Sequence, residues 1–74
     1  MTVTMPYYIQ EFLQHDYGNL RVAVDLRQVA AVFDYRDSLS GESYTMIMMK
    51  GVQMCHSVCE PYEEVRRLWL AAQV

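Results

Sequence analysis

The sequence predicts an α+β fold: an antiparallel β-meander of four or five strands with one C-terminal helix packed on one face. Three observations carry this. Short apolar segments recur between turns bearing Gly or Asp, the rhythm of consecutive hairpins. Within several of them, apolar residues come at every second position, as in strands with one buried face. After Pro61 the spacing changes to three and four, the repeat of a single helix face. A chain of 74 residues makes one such domain and has no room for a second, with 1–6 as a loose N-terminal segment.

Residues 7–13 are aromatic and β-branched enough for a strand, and a short helix after Pro6 is the competing reading. Tyr8, Gln10 and Phe12 would share one face, Ile9, Glu11 and Leu13 the other. His15-Asp16-Tyr17-Gly18-Asn19 is a turn cluster, after which Leu20, Val22 and Val24 alternate inward. Asp25 breaks the alternation. Its carboxylate can accept from the next backbone N–H groups and cap one helical turn, which brings Leu26 and Val29 to the same core.

A strand over 29–36 follows, then a polar loop over 37–42 with Gly41 late in it. The strand over 43–50 divides into Tyr44, Met46 and Met48 on one face and Thr45, Ile47 and Met49 on the other. Met46 and Met48 are expected under the helix, with Ile47 and Met49 pointing away from it. Lys50-Gly51 is a tight turn with Gly51 at positive φ, and 52–58 returns as a strand. In the helix, Pro61 takes the first position and Glu63 and Glu64 sit where the dipole favours negative charge. Glu63 is one turn from Arg67, and Tyr62, Val65, Leu68, Trp69 and Ala72 form the apolar stripe.

From Leu20 onward this order of signals resembles the small FlbD-type proteins encoded beside bacterial flagellar genes, and similar short phage and prophage proteins of unknown function. The shared pattern is an apolar strand, the Asp-led turn Val24-Asp25-Leu26-Arg27-Gln28-Val29, and a second strand. A hairpin closing on Gly (Thr45-Met46-Ile47-Met48-Met49-Lys50-Gly51) follows, then a strand and a helix opening Glu60-Pro61-Tyr62-Glu63-Glu64-Val65. It covers about two thirds of the chain; the segment through Leu13 and the acidic balance depart from it. The resemblance implies this fold and a non-enzymatic accessory role in a bacterial or phage setting, and it transfers no functional residues.

Composition narrows the function classes. At 53% hydrophobic and 20% charged, the chain is no disordered tail. A net charge of −3 with 6 Lys and Arg argues against a nucleic-acid partner, which needs many cations to displace counterions. The longest apolar runs, 29–33 and 46–49, fall far short of the ~20 residues of a membrane span. Cys55 and Cys59 in one strand would lie about 13 Å apart, against the ~7 Å limit of a disulfide, so reduced thiols in the cytoplasm are expected. They read as small buried side chains, with His56 on the opposite face, so no metal and no cofactor is expected. None of the nine carboxylates stands in a recognisable acid/base pair with a His, and no phosphate loop or nucleophile motif is present; no enzyme is expected.

The functional expectation comes from the sheet. One helix covers one face, and an apolar second face needs company. Phe33, Tyr35, Ile47 and Met49 are the candidate contact residues. The expected partner is a protein, either a second copy in a homodimer or a larger assembly, met through that face or through an exposed edge strand that adds to a partner's sheet. The alternative is a phage- or mobile-element-encoded inhibitor that blocks a host complex, a role that small size, acidity and six Tyr also suit.

Overall fold

The computed structural model describes residues 6–15 and 20–73. Its elements are β1 (Ile9–Leu13), β2 (Arg21–Asp25), a 3-10 turn (Leu26–Gln28), β3 (Val29–Arg36), β4 (Ser43–Met49), β5 (Cys55–Val58) and α1 (Tyr62–Ala71). The architecture is α+β: an antiparallel hairpin β1-β2, an antiparallel sheet in the order β3-β4-β5, and the helix at the C-terminal end. The N-terminal expectation for 1–5 and the turn at 16–19 lie outside the described residues.

The two sheets are stitched together where β1 runs past its own hairpin. Gln14 bridges Val58, the His15 N–H donates to the Ser57 carbonyl at 2.8 Å, and the Cys59 N–H donates to the Leu13 carbonyl at 2.8 Å. The backbone order is therefore β3-β4-β5-β1-β2, with the first strand beside the fifth. At its other end β1 is held by the 3-10 turn, whose Leu26 N–H donates to the Tyr8 carbonyl at 2.8 Å.

That turn forms for the reason the sequence suggests. Asp25 caps it by accepting from the Arg27 N–H at 3.0 Å, and the Arg27 guanidinium returns to the same carboxylate at 3.2 Å. These hydrogen bonds hold the Asp25 carboxyl below its usual range and raise the Arg27 pKa. Arg27 also lies 3.5 Å above the Tyr8 ring centroid, a cation–π contact. Leu26 and Val29, on either side, are both buried.

Every element contributes to one core, made of Phe12, Val24, Leu26, Val29, Ile47, Val58, Val65 and Ala72. Leu68 and Trp69 pack against it, so the helix stripe faces inward as its spacing requires. The helix is anchored at both ends. Just before it, the Thr45 hydroxyl, itself buried, donates to the Glu60 carbonyl at 2.7 Å. Both Glu60 carboxylate oxygens accept from the Leu13 N–H at 3.0 and 3.1 Å. Just after it, Gln73 donates its amide to the Leu26 carbonyl at 3.3 Å and the Trp69 carbonyl at 3.1 Å.

Several expectations need correction. The two faces of β4 are exchanged: Ile47 is completely buried and Met49 packs against the core, while Met46 and Met48 point away from the helix. The strand is apolar at every position from 46 to 49, so alternation carries no phase. The phase is set by Thr45 reaching Glu60 and by Ile47 lying opposite Val32. Strand β5 begins only at Cys55, with Val52 and Met54 exposed, because the turn after β4 is longer than two residues. Leu20 is exposed and precedes β2. Pro61 occupies the N-cap rather than the first helical position. Arg67 pairs with Glu64 at 2.7 Å rather than with Glu63, since spacings of three and four both place side chains together.

Gly51 adopts φ 72° with nothing within 4 Å of where a Cβ would stand. Gly51→Ala is therefore expected to cost about 1 kcal/mol through backbone conformation alone. A urea midpoint unchanged from wild type would show that the turn relaxes to negative φ without loss.

Candidate functional site

The uncovered face is built by cross-strand register. Directly opposed residues of an antiparallel pair point the same way. Ala31 pairs with Met48, Phe33 with Met46, and Tyr35 with Tyr44. On the other side of β4, Met46 pairs with Ser57 and Met48 with Cys55. The face opposite α1 thus carries Phe33 and Tyr35 from β3, Tyr44, Met46 and Met48 from β4, and Cys55 and Ser57 from β5. Phe33 is 42% and Tyr35 44% exposed, and Tyr44, Met46 and Met48 are half-buried. Of the four contact residues expected from sequence, Phe33 and Tyr35 lie here and Ile47 and Met49 do not. Tyr44, Met46 and Met48 take their place.

One end of this face is an aromatic ladder. The Tyr35 and Tyr44 rings have centroids 4.9 Å apart, and His15 stacks on Tyr44 at 4.2 Å with an interplanar angle of 21°. His15 reaches there because the Gln14–Val58 bridge brings the end of β1 alongside β5. Its Nε2 lies 3.2 Å from a Glu42 carboxylate oxygen. No sequence spacing announced this pair: the two residues are 27 positions apart and meet only through the β1–β5 closure. Stacking of this kind fixes ring orientation and favours a flat, rigid surface.

The thiols are arranged differently from expectation. Cys55 and Cys59 are free and exposed, not buried, because β5 starts at the former and ends just before the latter. Cys55 shares the uncovered face, whereas His56 lies opposite Ile47 on the core side of β5. Among the described residues, no three His, Cys, Asp or Glu side chains come close enough to hold a metal ion.

A cleft of about 240 Å³ lies between Glu11, Phe12, Leu13, Arg21 and Glu60. Its polar groups are already engaged: Glu60 with the Leu13 N–H, and Glu11 with Arg21 at 3.7 Å. The Trp69 Nε1–H is buried without a hydrogen-bond partner among the described residues. Among these residues no helix is long and apolar enough to cross a membrane. No protein-family model matches the chain, and searches of curated proteins and of solved structures also return no match.

Proposed function

We propose that this chain is a non-enzymatic protein-interaction module that associates through the sheet face its helix leaves uncovered. The observation that supports this best is the contiguous set Phe33, Tyr35, Tyr44, Met46 and Met48 on that face. Tyr and Phe supply large contact areas at small entropic cost, and Met adapts its shape to a partner. No charged side chain interrupts the set, which suits a surface that excludes water on contact. Its occupant is the same apolar face of a second copy of the chain.

Met46→Lys together with Met48→Lys tests the reading, because both side chains point away from the core. Sedimentation equilibrium of wild type is expected to give a mass above that of the variant, while both melt alike. Identical masses, with both proteins folded, would overturn the reading.

A further inference from the structure

The outer edge of β3 is a second surface, at right angles to the uncovered face, and it goes beyond the reading above. No described strand pairs with it. Which backbone groups it presents follows from the ladder. The His15 N–H donates to the Ser57 carbonyl and the Cys59 N–H to the Leu13 carbonyl, so residues 57 and 59 turn their backbone toward β1. Residues 56 and 58 then turn toward β4, and 44, 46 and 48 toward β3. Residues 31, 33 and 35 answer them, which leaves the N–H and C=O groups of Val32, Asp34 and Arg36 directed outward. The Asp37 N–H donating to the Glu42 carbonyl at 2.8 Å gives the same phase from the loop end.

Asp34 and Arg36 are both exposed and of opposite sign. Neither has an ion pair or side-chain hydrogen bond with any described residue. Edge charges of one sign repel a second strand; two of opposite sign, two positions apart, do the reverse in one register. Self-pairing centred on Phe33 sets Asp34 opposite Val32 and leaves both charges unmatched. Centred on Asp34, it sets two carboxylates together. Centred on Tyr35, it sets Asp34 of each copy opposite Arg36 of the other, with the outward N–H and C=O groups of both residues in hydrogen-bonding phase.

We propose that the outer edge of β3 pairs antiparallel with β3 of a second copy about a two-fold axis through Tyr35, locked by two reciprocal Asp34–Arg36 ion pairs. The axis is perpendicular to the sheet. Both helices then lie on one side and both uncovered faces join on the other. The two Tyr35 residues meet as a non-hydrogen-bonded pair, with Cα atoms about 4.5 Å apart. The ladder His15–Tyr44–Tyr35 of each protomer is thereby placed end to end with that of its partner.

Charge reversal and rescue decide it. The series is made in the Met46→Lys/Met48→Lys background, so that association through the face does not contribute. In that background the chain is expected to be a dimer by sedimentation equilibrium. D34R and R36D singly replace two attractions with two repulsions and are expected to weaken the dimer roughly tenfold to a hundredfold. The double exchange D34R/R36D restores it, and so does an equimolar mixture of the two single variants. In the dimer, the amides of Asp34 and Arg36 exchange hydrogen more slowly as protein concentration rises. A monomer at all concentrations, single reversals that dimerise like their parent, or a double exchange that fails to restore pairing would each overturn the proposal. None of these results touches the face reading, which stands or falls on the Met46 and Met48 comparison in the otherwise wild-type chain.

Discussion

Ile47→Ala is expected to lower the unfolding free energy by about 2–5 kcal/mol. Ile47 is wholly buried at the centre of β4, opposite Val32 on one side and His56 on the other. Its removal strips contacts from α1 and both flanking strands at once. A domain of this length has on the order of 4–11 kcal/mol in total, so the variant stands near the edge of folding at 37 °C. Met46→Ala, one position earlier and on the opposite face, is expected to cost less than about 1 kcal/mol. Urea denaturation of the pair gives a direct reading of strand phase. Equal losses would mean that the face opposite the helix is as tightly packed as the core.

Glu60→Ala is expected to cost about 1.5–3 kcal/mol, the second largest effect. The Glu60 carboxylate accepts the Leu13 N–H with both oxygens, a charge-assisted contact between the helix start and the last residue of β1. Without it that N–H has lost its acceptor in a half-buried place. Glu60→Gln keeps a carbonyl oxygen in reach and is expected to recover part of the loss. Thermal melts of the two variants, with exchange rates at Leu13, check the order. Exchange at Leu13 no faster than in wild type would show that water or another group replaces the carboxylate.

The parts of the fold legible in the sequence were those with a local cause. Asp25 caps the turn it precedes, Gly51 takes positive φ, β3 spans the residues its composition suggests, and Val65, Leu68, Trp69 and Ala72 of the helix stripe turn inward. Each depends on residues within one or two turns of chain. The phase of β4 was not legible, because 46–49 offers apolar side chains to both faces. What decides it is Thr45 reaching Glu60, 15 residues on. The β1–β5 stitch was equally hidden, since a bridge between Gln14 and Val58 leaves no periodic trace. The site inherits both gaps. Phe33 and Tyr35 could be placed on an exposed strand, but Tyr44, Met46 and Met48 required the phase, and His15 required the stitch.

The neighbourhood of the first and fifth strands also bears on how the chain is made. On a ribosome, β1 and β2 emerge together and can pair at once, yet the core that holds Phe12 closes only when Val58 of β5 and Val65 of α1 join Val24, Leu26 and Val29. At about 5–20 residues per second that interval lasts a few seconds. Throughout it the core around that ring is incomplete and the flank that β5 will meet is unpaired, so chaperone dependence in vivo should fall on the half-synthesised chain rather than on the finished one.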